Sequence, residues 1–337
     1  MNDRASNSEP SSRVVFAGTG SALPSRVVGN EEFVSILETS DEWIHQRTGI
    51  RTRRFCDSHQ SSATLAVQAS RNALTAAGLD ASEIDLIICA TVTPERNTPP
   101  NAAIVQAELG CRMVAAFDMA AACSGFLYAV GVARGMMLAG MARHALVVGA
   151  ESLGRSLDFQ DRNSCILFGD GAGAVVLSVE ESSTRGIQYL TLAADGSRGD
   201  LIQVPGAMTW TNGMATATPK PSSFIQLAGP ETFRFAVKTL TRLLLEIQDD
   251  CQISLDEIAC IVPHQVNLRV FEAVADQLKF SMDKLVVNID RYGNTTAASI
   301  PIALDEAVRN GRISKGDLIA IVAFGGGLTW SSALVRW

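Results

Sequence analysis

The sequence predicts an α/β protein made of two similar halves, each a largely parallel sheet of short buried strands covered by helices. Two observations carry this reading. Along the chain, apolar runs of strand length alternate with helical patterns, the order in which parallel strands are joined through helices. Three pairs of segments also match near one spacing of 174 residues: Val14–Gly18 with Gln188–Leu192, the turn at Glu83 with that at Glu257, and Leu146–Ala150 with Ala320–Phe324. The spacing is about half the chain and reads as an internal duplication, with halves at 14–183 and 184–337 behind a mobile tail at 1–13. Chance likeness among α/β elements is the alternative. Two halves related by a pseudo-twofold axis would pack helices together in the middle, with the turn at Cys123 facing the turn at Asn294.

Each element has a local reason. Ser61 to Leu79 is an Ala-rich helical pattern stopped by Gly78, and Ser82-Glu83-Ile84-Asp85 then turns into the apolar run Leu86 to Val92. Met113 to Asp118 is strand-like, and an apolar helix follows from about Ser124 to Leu138. From Glu231 to Ile247, Phe233, Ala236, Val237, Leu240, Leu243, Leu244 and Ile247 share one helical face. A turn at Ser254–Ile258 leads into the strand Ala259 to Val262.

Composition narrows the function. The 337 residues are 47% hydrophobic and 19% charged, enough to bury a large core and too apolar for a disordered chain. A net charge of −7 argues against a general nucleic-acid coat. The uncharged run Met119–Ala133 is shorter than the roughly 20 residues that span a bilayer, so no membrane role is expected. Residues 1–13 lack the apolar core of a signal peptide, which points to the cytoplasm. Seven cysteines with no C-x-x-C pair indicate neither a disulfide framework nor a zinc site.

Four places are candidates for chemistry. Cys123 stands between a strand and an apolar helix, where unpaired N–H groups and the dipole favour thiolate; a small buried thiol in an Ala/Gly-rich layer is the alternative. His264 follows a buried strand at its C-terminal end, where α/β folds place ligands, whereas His45, His59 and His144 read as solvated. Asn294 opens a helical stretch, as a donor to substrate or as an N-cap. Gly325-Gly326-Gly327 follows a strand, where bare backbone can turn an N–H to a substrate or simply form a hairpin. Gly169–Gly173 leads into the strand-like Ala174 to Val179, which excludes a dinucleotide loop.

Asp41-Glu42-Trp43-Ile44 with Arg47-Thr48-Gly49-Ile50, Cys123-Ser124-Gly125, Phe168 to Gly173, Pro263-His264-Gln265, Asn267-Leu268-Arg269, Gly293-Asn294-Thr295 and Phe324 to Gly327 together resemble the β-ketoacyl-acyl-carrier-protein synthase III family, from about Val14 to Trp337. The resemblance implies the thiolase fold, a five-layered αβαβα body of two duplicated halves, as a homodimer. It implies that Cys123 takes an acyl group from an acyl-coenzyme A, acetyl foremost, and that His264 and Asn294 hold the carbonyl of malonyl-acyl carrier protein during decarboxylation. The N–H groups of Cys123 and Gly326 would form the oxyanion hole. Coenzyme A thioesters are then substrates, with no cofactor or metal.

By the same resemblance, Trp43, Arg47, Thr48, Arg162, Gly229, Phe233 and Asn267 correspond to positions for coenzyme A and its pantetheine arm. Gln265, Val266, Asn267, Leu268, Arg269, Arg234 and Lys238 correspond to the acyl-carrier-protein surface. Arg234, Lys238 and Arg242 recur every four residues on one helix face, a docking stripe or an ordinary solvated face. Three features depart from the family: Val266 for a usual Ala, Ser331 for a usual Gly, and the loop Glu95–Pro100, which would reach the partner subunit's acyl pocket. The sequence reads as the condensing enzyme that begins fatty acid synthesis. The alternative is a specialised relative in secondary metabolism, condensing or transferring acyl groups to oxygen or nitrogen.

Overall fold

The structure, a computed structural model, describes residues 12–181, 183–204, 209–211, 214–216 and 224–337. Strands β1 (Ser12–Ala22), β2 (Leu86–Ala90), β3 (Ala115–Met119), β4 (His144–Glu151) and β5 (Gly171–Glu181) make one sheet, in the order β1-β5-β4-β2-β3. Strands β6 (Gly186–Ala194), β7 (Cys260–Pro263), β8 (Leu318–Gly325) and β9 (Thr329–Arg336) make the other, in the order β6-β9-β8-β7. Both orders run antiparallel, antiparallel, parallel. Beyond β2 the first sheet adds β3 in parallel, and beyond β7 a parallel bridge joins Ile261 to Leu285. The expected largely parallel sheets are therefore mixed. The chain turns back beside its central strands, through a tight hairpin between β8 and β9 in the second sheet.

The longer helices among the described residues are α1 (Asp41–Thr48), α2 (Ser62–Ala77), α3 (Asn101–Leu109), α4 (Gly125–Leu138), α5 (Gly229–Cys251), α6 (Leu268–Leu278) and α7 (Ser299–Arg309). Ser61 and Thr64 cap the start of α2 reciprocally, and Gly78 ends it in the left-handed region. Asp80 and Glu83 form a capping box before β2, and Ser254 and Glu257 form the same device before β7.

Strand alternation sorts the side chains into layers. In β2, Ile87 and Cys89 pack under α2 and α3, whereas Leu86, Ile88 and Ala90 point to the middle of the molecule. There α4 and α7 lie between the two sheets, with Phe126, Leu127, Ile300 and Leu304 buried. Helices α5 and α6 cover the far face of the second sheet through Leu240, Leu244, Phe271 and Val274. Five layers result, and the ends of the middle helices meet the sheets where the site forms. Leu127→Ala in that middle layer would cost roughly 2–5 kcal/mol.

Several expectations change. Ser12 and Arg13 belong to β1 rather than to a mobile tail, and residues 1–11 lie outside the described residues. His45 and His144 are half-buried: Nε2 of His45 contacts the Arg51 guanidinium at 3.0 Å and Nδ1 of His144 meets the Ser178 hydroxyl at 2.9 Å. Among the described residues no helix is long and apolar enough to cross a membrane. All seven cysteines are free.

Candidate active site

After β3 the chain passes through a one-turn 3₁₀ helix, Ala122–Ser124, into α4. Ala122 takes φ 46°, the left-handed region, which tightens the turn and tucks Cys123 into the protein. The turn packs against the end of β8, where a side chain on Gly325 would come within 2.6 Å of the Cys123 nitrogen; glycine is needed there for that approach. Burial pushes the thiol up to about 12, with the nearby charge of Glu151 acting the same way. The N–H groups of Cys123 and Gly326 and the Thr296 hydroxyl, all beside the sulfur, act against them. Desolvation therefore outweighs the expected pull of the helix N-terminus, and the resting group is a thiol. Gly326 lies in the hairpin turn between β8 and β9, the simpler of the two sequence readings, with its N–H beside the Cys123 sulfur.

His264 follows β7, and its N–H donates to the Val322 carbonyl at 2.8 Å, prolonging the parallel ladder. Its ring is edge-on to Phe324, one residue before Gly325. Burial drives the imidazole down to about 3, so the ring is neutral. Nδ1 lies 2.7 Å from the hydroxyl of Ser299, the first residue of α7. That oxygen accepts from the Gln265 N–H at 3.4 Å, and if its own proton goes to Nδ1 the ring proton sits on Nε2.

Asn294 is buried, with its backbone N–H on the Leu167 carbonyl at 2.8 Å and its carbonyl receiving the Gly169 N–H at 3.1 Å. Its Oδ1 accepts from the Thr296 N–H at 2.9 Å, a local turn, whereas no side chain caps α7. This bond fixes the amide with Nδ2 on the opposite side. Thr296 begins a second 3₁₀ turn, Thr296–Ala298, which packs against the Cys123 turn. Cys123, His264 and Asn294 thus gather around the ends of β7 and β8 and these two touching turns.

Two cavities flank this centre. One, of about 960 Å³, opens on Cys123, Thr296 and Gly326, and Val92, Phe117 and Phe168 contribute to its apolar wall. The loop Glu95–Pro100 lines it from the same chain through Arg96, Asn97 and Pro100. The other, of about 810 Å³, gathers all seven expected coenzyme A positions: Trp43, Arg47, Thr48, Arg162, Gly229, Phe233 and Asn267. Arg47 and Arg162 stand 5.4 and 5.0 Å from the Trp43 ring centre, and Arg269 stands 5.8 Å from that of Phe233. The segments 166–168 and 225–228 separate the cavities, with Ile166, Leu167 and Leu227 on the arginine side and Phe168 and Ile225 on the thiol side.

The expected carrier-protein residues divide. Arg234, Val266 and Arg269 line the rim and wall of the arginine cavity, and Arg234 and Lys238 border an adjoining groove of about 480 Å³ between α5 and α6. Arg242 lies over the Trp330 ring at 4.7 Å. Gln265 is no docking residue: it is buried, donating to the carbonyls of Pro263 and Val286 and accepting from the N–H groups of Asn288 and Ile289. Leu268 packs inward against Gly49, and Asn267 caps α6 while donating to the Arg47 carbonyl at 3.0 Å. Ser331 is buried in β9, and its hydroxyl has no partner among the described residues.

Three residues at the centre escaped the sequence reading: Thr296, Ser299 and Glu151. Thr296 stands 174 residues after Ala122, and both have left-handed backbone, φ 50° and 46°. Following the duplication spacing residue by residue would have found it. Glu151 ends the apolar run of β4, and a carboxylate closing a buried strand was the available signal.

Residues 249–337 match the family model described as 3-oxoacyl-[acyl-carrier-protein] synthase III C terminal, and residues 117–196 match 3-oxoacyl-[acyl-carrier-protein] synthase III. The chain is 47% identical to a β-ketoacyl-[acyl-carrier-protein] synthase III of Erythrobacter litoralis, over 96% of this chain and 99% of the relative. The corresponding protein of Novosphingobium aromaticivorans is also 47% identical, with the same coverage. Among solved structures, the 3-oxoacyl-[acyl-carrier-protein] synthase III of Aquifex aeolicus superposes with a TM-score of 0.88 at 40% identity, covering 96% of this chain and 100% of that one. A priming β-ketosynthase from the R1128 polyketide pathway superposes at 0.87 with 32% identity, covering 99% and 98%.

Proposed function

The chain belongs to the 3-oxoacyl-[acyl-carrier-protein] synthase III family of thiolase-fold condensing enzymes, and from that premise we propose that it joins an acyl-coenzyme A primer to malonyl-acyl carrier protein, beginning fatty acid synthesis. The observation that carries the assignment of roles is the meeting of a buried thiol, two inward N–H groups and a neutral histidine at the touching turns. The primer is acetyl, the enzyme a cytoplasmic homodimer built from two duplicated halves, and no cofactor takes part.

In this reading the exposed arginines of the second cavity meet the phosphates of coenzyme A, Trp43 offers its ring to the adenine, and the arm passes inward between the two dividing segments. The Cys123 sulfur attacks the thioester carbon. The N–H groups of Cys123 and Gly326 stabilise the oxyanion, and coenzyme A leaves with the thiol's proton. Malonyl-acyl carrier protein then enters by the same cavity, its acidic surface against Arg234, Lys238 and Arg269. Nε2–H of His264 and Nδ2–H of Asn294 donate to its thioester oxygen, where charge collects as carbon dioxide departs. Both donors are neutral, so they lower the barrier without protonating the carbanion. The carbanion attacks the acyl-cysteine, and Cys123 recovers a proton as 3-oxoacyl-acyl carrier protein leaves.

Intact mass after incubation with acetyl-coenzyme A tests this. One acetyl group should add to the parent and none to Cys123→Ala, and malonyl-acyl carrier protein should discharge the adduct with release of carbon dioxide. An adduct on another cysteine would overturn the role of Cys123. Discharge to an oxygen or nitrogen acceptor without carbon dioxide would assign an acyltransferase instead.

A further inference from the structure

Thr296 is 4% exposed and lines the cavity that holds Cys123. Among the described residues its hydroxyl has no hydrogen-bond partner. A buried hydroxyl without a partner is disfavoured, and a β-branched residue at φ 50° is a steric outlier, so the fold holds this side chain against two penalties at once. Outliers of this kind concentrate where chemistry needs a group in one place.

The restraint is visible on both sides of the residue. Its own N–H is bound by Oδ1 of Asn294 at 2.9 Å, and the carboxylate of Glu151 lies near the N–H of the next residue, Ala297. Glu151 is fully buried and is fixed in turn by the Thr93 hydroxyl at 2.5 Å, the Thr93 N–H at 3.1 Å and the Thr91 hydroxyl at 3.2 Å. Gly149, two residues earlier in β4, leaves room for this: a side chain there would strike the Ala297 carbonyl at 2.3 Å. The strained turn is thus clamped from beneath by the end of β4, with the hydroxyl left over. Thr296 lines the same cavity as Cys123, on the turn that packs against the Cys123 turn, and its hydroxyl favours negative charge on the sulfur.

We propose that Thr296 is a catalytic residue whose hydroxyl donates to the Cys123 sulfur while negative charge builds there, with Glu151 as the residue that positions its turn. This rests on the reading that Cys123 carries the acyl group. During acylation the bond from sulfur to the acyl carbon forms and the bond from that carbon to the coenzyme A sulfur breaks. The thiol's proton ends on coenzyme A, and Thr296 keeps its own. The same donor serves again when condensation expels the Cys123 sulfur. Decarboxylation places its charge on the thioester oxygen held by His264 and Asn294 and should not need Thr296.

The test compares Thr296→Val, which keeps the shape and removes the hydroxyl, with Thr296→Ser, which restores it. Two rates are measured: quenched-flow intact mass for acetylation of Cys123, and carbon dioxide release from malonyl-acyl carrier protein by unprimed enzyme. We expect acetylation about tenfold slower in Thr296→Val, near-parental in Thr296→Ser, and decarboxylation within twofold in both. Should the valine variant fail to fold, Thr296→Ala removes the hydroxyl with less backbone strain. Parental acetylation in the variant without a hydroxyl, equal loss in the serine variant, or parallel loss of both half-reactions would each overturn the proposal. A parent enzyme that is not acetylated on Cys123 would instead overturn the functional reading beneath it.

Discussion

The buried centre around Cys123 and the arginine cavity beside it treat charge in opposite ways. Around Cys123, burial drives the titratable groups toward their neutral forms, the thiol up to about 12, the imidazole of His264 down to about 3 and the carboxyl of Glu151 up to about 7. In the neighbouring cavity Arg47, Arg162 and Arg269 are exposed to water, so a guanidinium there is placed at little desolvation cost. The contrast separates recognition from chemistry. In the proposed reaction, phosphates and an acidic carrier would be attracted where ions remain hydrated, whereas charge developing on sulfur or oxygen would meet fixed dipoles in a dry, buried site, where they act strongly.

The contrast can be sharpened from the wet side first. Reversing Arg234 and Lys238 to Glu should lower kcat/KM for malonyl-acyl carrier protein by about tenfold or more at 0.1 M salt, and less at 1 M, where the Debye length falls from about 10 Å to about 3 Å. Acetylation of Cys123 by acetyl-coenzyme A should change little. Steady-state kinetics with each substrate decide it, and equal effects on both would make the stripe a solvated face.

A smaller effect probes the dry side through pH. The folded protein withholds from His264 a proton that the unfolded chain takes up below about 6.5, so this group destabilises the fold progressively as pH drops from about 6.5 toward 3. Glu151 has the opposite sign: folded, it keeps a proton that the unfolded chain gives up above about 4.5, so stability falls as pH rises from about 4.5 toward 7. Between about 4.5 and 6.5 the two slopes oppose each other. In His264→Gln only the Glu151 slope remains, so denaturant titrations should show the variant gaining on the parent as pH falls through that window, by at most about 1.4 kcal/mol per pH unit. A stability difference that does not move with pH would mean that His264 is not held neutral.

Much of this was legible in the sequence because strand and helix periods report burial directly. The 174-residue spacing pairs like elements: β1 with β6, the two capping boxes, and β4 with β8. Strand direction was not legible, since an apolar run looks the same whether its neighbour runs with it or against it. At the site, Cys123, His264 and Asn294 were found as residue types at strand and turn ends. The thiol's state was misjudged because the helix N-terminus can be read from a pattern, whereas depth of burial depends on the packing of both halves. Gln265 illustrates the same limit. It neighbours exposed residues in sequence, yet its amide turns inward to four backbone groups. Thr296 lies at the duplication spacing from Ala122, but only the backbone angle shows why that position matters.

The central claim is that acyl transfer belongs to Cys123 and decarboxylation to the His264 and Asn294 donors. Release of labelled carbon dioxide from malonyl-acyl carrier protein, measured without primer for Cys123→Ala and with acetyl-coenzyme A for Asn294→Ala, tests it most directly. The account predicts that Cys123→Ala still releases carbon dioxide, whereas Asn294→Ala becomes acetylated yet releases it about 10²-fold more slowly than the parent. Silence from Cys123→Ala, or release at the parental rate from Asn294→Ala, would contradict that division.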